Sequence, residues 1–238
     1  MIPLCIRIHA KSIQNEMLMS EKTARRLSWS IALLSVLLVM TGLVISILAL
    51  IVSDRGVTFS HQFFTPPLTI TYCVVGALIA SRHPRNLIGW IFCTIGFLSA
   101  LNMLSAGYAL YSELVSPMFG EALARWFSIW IWIPNTLLPI TFTLLLFPDG
   151  RLLSRRWSPI AWAAALGIAA YTFSMAFYPG SLEPLGIPAS NPYGIQGSEG
   201  VMKALITFAA PILLVGIFGS IASIVVRFRH AAGIERAQ

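Results

Sequence analysis

Charge is what this 238-residue chain has least of: 11% of its residues are Asp, Glu, Lys or Arg, against about 25% in ordinary soluble domains. Hydrophobic residues make up 57% and the mean hydropathy is +0.79. The polar residues that remain are too few to give a globule a water-facing surface. No Asp, Glu, His, Lys or Arg stands at the centre of a long apolar run. Ionisable groups there mark ion paths, proton relays or catalysis, so ion-coupled transport and intramembrane proteolysis lack their usual parts. Also missing are His-Glu-x-x-His, Gly-x-x-x-x-Gly-Lys-Ser/Thr, Gly-x-Gly-x-x-Gly and Gly-x-Ser-x-Gly. The three cysteines, Cys5, Cys73 and Cys93, are far apart and form no Cys-x-x-Cys or Cys/His cluster. Neither a disulfide framework nor a zinc site is therefore indicated, and Cys73 and Cys93 read as small buried hydrophobes. Nothing alternates with period two, as barrel strands do. No small-residue cleavage site follows the first apolar run, which reads as a retained span and not a signal peptide. The expectation is a non-enzyme with no catalytic, cofactor-binding or metal-binding residues.

What the chain has is apolar runs. Six of them, at about 29–52, 64–81, 87–108, 123–147, 157–178 and 201–226, approach or exceed the roughly 20 residues that a bilayer crossing needs. Backbone groups in hydrocarbon must be satisfied within their own segment, so the predicted fold is an all-α integral membrane bundle of about six helices. Pro66 and Pro67 are expected to open the second helix, where a missing N–H matters little. Residues 1–28 and 227–238 read as tails, and Met17 and Met19 offer alternative starts.

The basic residues orient this bundle. Thirteen fall in alternate connections: Arg7, Lys11, Lys22, Arg25 and Arg26, then Arg82 and Arg85, then Arg151, Arg155 and Arg156, then Arg227, Arg229 and Arg236. Three fall in the others: Arg55, Arg125 and Lys203. Both termini are therefore expected in the cytoplasm, with the chain in the inner (plasma) membrane. The net charge of +7 serves topology and anionic lipid, not nucleic acid. Trp29, Trp90, Trp157 and Trp162 fall near inner span ends and Trp126, Trp130 and Trp132 near an outer one, as an aromatic belt requires. Trp126 and Trp130 share a helix face and can also wall a ligand site.

Polar features inside the runs are few. Pro134, Asn135 and Pro139 interrupt the fourth, and Pro211 the sixth. They read either as a hinge or small polar pocket, with Asn102 beside Asn135, or as ordinary membrane-helix proline with Asn135 as interhelical glue. Arg125, on the sparsely charged side, either binds an anionic ligand or pairs with Glu121. Gly76-x-x-x-Ala80, Gly96-x-x-x-Ala100, Ala165-x-x-x-Ala169 and Gly216-x-x-x-Ser220 would permit close helix packing within the bundle or between protomers. The outer loop from Pro179 to Gly200 is either a lid or an irregular connector.

Two cytoplasmic turns carry the most distinctive sequence: Arg82-His83-Pro84-Arg85-Asn86-Leu87-Ile88-Gly89-Trp90, and Phe147-Pro148-Asp149-Gly150-Arg151 continuing to Arg155-Arg156-Trp157. Pro148-Asp149-Gly150 has the residue order of a tight turn. Together with the outer Asn191-Pro192-Tyr193-Gly194-Ile195 and the ending Arg227-Phe228-Arg229 to Glu235-Arg236, these segments resemble the multi-helix N-terminal membrane region of a group of bacterial sensor histidine kinases. The resemblance covers roughly residues 31–238. It implies a sensory module in two-component signal transduction, acting through a kinase partner or a second copy, on an unnamed ligand. The chain stops before any phosphoacceptor or ATP-binding stretch, so the module is read as truncated or standing alone. His230 lacks the acidic helical context of a phosphoacceptor and reads as an interfacial residue. The alternative reading is a small transporter or channel component, resting on the prolines and Asn135.

Overall fold

In the computed structural model of the protein, the described residues are 21–53, 59–183 and 190–235, with side chains over 21–53, 65–183 and 190–229. Cys5, Arg7, Lys11, Met17, Met19, Arg55 and Arg236 lie outside the described residues, as does the side chain of His230.

The chain is all-helical apart from a two-residue strand pair, Gly180–Ser181 with Ser190–Asn191. Six helices follow one another: α1 (Glu21–Val52), α2 (Phe59–Arg82), α3 (Leu87–Leu114), α4 (Glu121–Leu146), α5 (Ser158–Phe177) and α6 (Glu199–Glu235). Among the described residues, α1, α3, α4, α5 and α6 are long and apolar enough to cross a membrane. Several helices outrun the apolar runs that nucleate them, because backbone hydrogen bonding continues wherever the residues allow it. Thus α1 begins at Glu21 and α6 continues to Glu235.

The prolines of α2 do not open it. The helix starts at Phe59 and holds Pro66 and Pro67 inside. Proline keeps a helical φ, but at these interior positions each forfeits an i→i−4 hydrogen bond and crowds the carbonyl four residues back. The hydroxyls of Thr69 and Thr71 donate to the carbonyls of Thr65 and Pro67, both at 2.8 Å. In α4 the interruption is real. The segment Pro139–Thr143 is wound as a π-helix, the register shift by which a helix absorbs a residue that cannot donate.

Two groups of three helices, α1–α3 and α4–α6, join where α3 packs against α4. Glycine sets the closeness of the seams. A Cβ added at Gly42 of α1 would come within 2.8 Å of the Leu104 backbone in α3. One at Gly76 of α2 would lie 2.6 Å from the Cys93 nitrogen. One at Gly216 of α6 would lie 2.9 Å from the Ala164 Cα in α5. Small residues are what bring helices together in lipid, where apolar burial offers no gain. Cys73 and Cys93 are buried and free at the α2–α3 seam. Three of the four small-residue pairs lie on such intramolecular seams; Ala165 and Ala169 instead line a cavity.

The outward faces are hydrocarbon-like along whole helices. Leu33, Leu37, Val44 and Ile51 of α1 and Phe208, Val215 and Phe218 of α6 are all more than half exposed. No soluble monomer spreads so much contiguous apolar surface. Successive helices alternate in direction, so α1 begins and α6 ends at one end of the bundle. The turn between α2 and α3 and the turn between α4 and α5 lie there too, and we call it the basic end.

Candidate functional site

At the basic end three helices meet in one small structure. Asn86 caps α3: its Oδ1 accepts the Ile88 N–H at 2.9 Å, while its Nδ2 donates to the Pro148 carbonyl at 3.4 Å. Trp90 Nε1 donates to the Pro84 carbonyl at 3.0 Å, folding the turn onto its own helix. Gly89 seats against the Ala80 backbone, so the arm following Arg82 closes tightly.

Opposite, the Phe147–Arg151 turn leaves α4 through a Gly150 N–H donated to the Leu146 carbonyl at 2.9 Å. Gly150 has φ +72°, the left-handed region that glycine enters at no steric cost. A Cβ there would also collide with Asn86 Oδ1 and stand 2.7 Å from the Leu87 nitrogen. Position 150 thus needs glycine twice over. Arg151 precedes a short 3-10 turn, Arg155–Trp157, that starts α5.

Arg227 of α6 completes the junction. Its Nη2 donates to the Leu145 carbonyl at 3.1 Å and to the Arg151 carbonyl at 2.7 Å. The first is an orphan carbonyl of the last turn of α4 and the second belongs to the turn that follows, so one guanidinium nitrogen ties the two together. Beside the junction a recess of about 700 Å³ is lined by His83, Arg85, Asp149, Arg151 and Arg227. Among the described residues no arginine of this end has an acid within 4 Å; the three ion pairs all lie at the other end.

That far end is built on tryptophan and asparagine. Trp126 Nε1 donates to the Ala176 carbonyl at 2.6 Å, pinning α4 to the last turn of α5. Its ring sits 5.3 Å from Trp130, 5.9 Å from Phe177 and 5.8 Å from Tyr193. Buried Asn191 donates to the carbonyls of Ala176 and Tyr178 at 2.9 and 3.0 Å and accepts the Tyr193 N–H at 3.0 Å. The Asn191–Ile195 segment is therefore a cap over α5 that lays Tyr193 on Trp126. Within the described part of the 179–200 loop, the connector is ordered by these bonds.

Below this cap, α4 and α5 stand apart around a cavity of about 540 Å³ open along its side. Trp130, Pro134 and Phe142 face Ala165, Ala169 and Thr172 across it. Trp130 Nε1 and Thr172 Oγ1 are buried with no hydrogen-bond partner.

The structure separates the residues that the sequence grouped. Asn135 Oδ1 accepts the Ser99 hydroxyl at 2.7 Å, joining α4 to α3 as interhelical glue. Asn102 lines a different recess of about 460 Å³ with Ser46 and Gly107, on the α1 side. The two asparagines therefore share no pocket, because Ser99 and not Asn102 occupies the α3 position facing α4. Arg125 pairs with Glu121 as expected, is 3.8 Å from Glu113, and stays out of the cavity. Glu121 in turn accepts the Ser112 hydroxyl at 2.7 Å. Pro134 and Trp130 do line a cavity, but an apolar one. Pro211 is exposed on an uninterrupted α6 and lines none of the cavities described.

Sequence reasoning missed Thr172, the role of Ala165 and Ala169, and the grip of Arg227. Alanine spacing reads alike for a seam and for a cavity wall. An arginine at a span end reads as topology alone. Among the described residues no group of three or more His, Cys, Asp or Glu is placed to hold a metal. No family model matches the sequence, and neither a curated protein nor a solved structure is significantly similar to the chain.

Proposed function

We propose that the protein is a non-catalytic signal-transduction module of the bacterial inner membrane. In this reading six helices cross the bilayer, both termini are cytoplasmic, and the module resembles the input region of a sensor histidine kinase. It passes helix movement to a kinase partner or to a second copy of itself. The orientation is supported by how the charges are used. At the far end Arg125 and Lys203 are matched by Glu121 and Glu199. The arginines of the basic end other than Arg227 are left for anionic phosphates, as the cytoplasmic leaflet supplies them.

The observation that carries the signalling reading is the Arg227 junction. One side chain of the exiting helix α6 holds a carbonyl of the last turn of α4 and another in the turn that follows, and that turn abuts the cap of α3. A shift of α4 would reach α6 directly. The π segment at Pro139–Thr143 is a natural place for such a shift, since these windings mark functional irregularities in helices. Coupling through packed elements of this kind amounts to about 0.5–2 kcal/mol.

The test is a chimera in which the chain is joined after Gln238, in helical register, to the catalytic region of a histidine kinase. Arg227→Ala is expected to change autophosphorylation in vesicles about fivefold, the factor that roughly 1 kcal/mol represents. Amount and elution profile of the chimera should stay as in the parent. Equal rates in the two chimeras would sink the signalling reading.

A further inference from the structure

We infer that the cavity between α4 and α5 is a binding site for a single-chain, uncharged lipid whose head carries an oxygen acceptor. This rests on the membrane reading for the ligand's route, and it is independent of the signalling reading. The cavity's volume of about 540 Å³ falls in the range of ligand pockets, roughly 300–1,000 Å³.

Its shape follows from sequence. On α5 the wall is Ala165 and Ala169, which offer one methyl each, and on α4 it is Pro134 and Phe142. From Trp130 to Phe142 the wall runs about 18 Å at the rise of a helix, so the site is a long slot suited to one chain.

The polar groups fix the head. The Trp126–Ala176 hydrogen bond joins the two helices, and Trp130 and Thr172 each stand four residues along the chain from it. Both line the slot, and both Nε1 and Oγ1 are buried without a partner. Indole N–H is a donor only, and threonine hydroxyl both donates and accepts. Buried donors in native proteins are nearly always matched. Most helical hydroxyls bond a carbonyl of their own helix, as Ser35, Thr69, Thr94, Thr141 and Ser174 do four residues back. Thr143 and Ser223 are unmatched as Thr172 is, but Thr172 alone of the three lines a cavity described here. Two unmatched groups on opposite walls point to a ligand oxygen between them. No charged residue lines the slot, which selects a neutral head such as a carbonyl or hydroxyl. The nearest outer cation, Arg125, is engaged by Glu121.

The probe is a diazirine-bearing monoacylglycerol added to the purified chain in phosphatidylcholine nanodiscs, with the label mapped by mass spectrometry. Label is expected on 130–142 and 165–173 and to be displaced by excess unlabelled monoacylglycerol. Thr172→Val and Trp130→Phe should each weaken binding about tenfold, the scale of one lost hydrogen bond. Ala169→Phe should abolish labelling while the protein still elutes as a single species; should that variant misfold, Ala165→Leu serves. Label spread evenly along α1 and α6, or not displaced, would overturn the site. Binding unchanged in both Thr172→Val and Trp130→Phe would overturn the assignment of the head. Displacement by diacylglycerol or by lysophosphatidylcholine as effective as by monoacylglycerol would overturn the single uncharged chain.

Discussion

Leucine in place of Gly96 is expected to separate α2 from α3 and to leave little protein that survives solubilisation. A Cβ at this position would collide with the Cys73 sulfur and lie 2.9 Å from the Cys73 nitrogen. The sulfur can turn away; the backbone of a second helix cannot. The same seam is equally close at Gly76 and at Gly89, where added Cβ atoms would meet the Cys93 and Ala80 nitrogens at 2.6 Å. The three glycines hold the contact along its length, so relief at one end strains the other. Overpacking of this kind costs about 3 kcal/mol or more when the obstacle is backbone. In lipid there is no hydrophobic gain to draw the helices back together. Gly200→Leu is the control, because nothing lies within 4 Å of a Cβ there. Thermal midpoints by size-exclusion fluorescence should place Gly96→Leu well below the parent and Gly200→Leu close to it. Similar midpoints for all three would mean that α2 does not lie on α3 in this register.

The second large effect is expected at the basic end, from Gly150→Ala. The left-handed φ of +72° costs a non-glycine residue about 1–2 kcal/mol. The new methyl would also dislodge Asn86, whose cap on α3 contributes about 1 kcal/mol. The sum, roughly 2–3 kcal/mol, corresponds to a midpoint about 5–10 °C lower for a chain of this length. Gly197→Ala separates the two causes. Its φ is +80° and its surroundings are open, so only the conformational part should appear, about half the drop. Equal drops for Gly150→Ala and Gly197→Ala would mean that Asn86 does not sit against the turn.

Much of this architecture was legible in the residues. Runs of leucine, isoleucine and valine locate all six helices, because the demand for internal hydrogen bonds admits nothing else in hydrocarbon, although α1, α2, α3 and α6 each run five to nine residues past the expected span at one end. Gly76, Gly96 and Gly216 mark real seams, since nothing but the smallest side chains allows backbones to touch. Arg125 and Glu121 pair at the spacing of one helical turn, which is local information. What stayed illegible depends on which helix neighbours which. Ala165 and Ala169 look like another seam until α4 is seen to stand off from α5. Asn102 and Asn135 look like partners until Ser99 is found in the facing position. Pro66 and Pro67 look like a helix start, because sequence alone does not show that α2 tolerates both within its second and third turns. Arg227 is a topology signal by its position and a clamp only by its neighbours. Thr172 carries no signal at all, for its interest lies in a bond that it does not make.

Signalling of the proposed kind requires the basic end to face the cytoplasm, since the Arg227 junction can hand movement to a kinase partner only from there. The measurement is cysteine labelling with a membrane-impermeant maleimide on spheroplasts of cells making the protein. Two probes, each adding one exposed cysteine, are placed in a Cys5→Ser background, with buried Cys73 and Cys93 left as they are. Gln196→Cys reports the far end and Ser154→Cys the basic end, both at exposed positions. Labelling of Gln196→Cys on intact spheroplasts, with Ser154→Cys labelled only after lysis, is the result predicted. Labelling of Ser154→Cys from outside would contradict the orientation and, with it, the signalling reading.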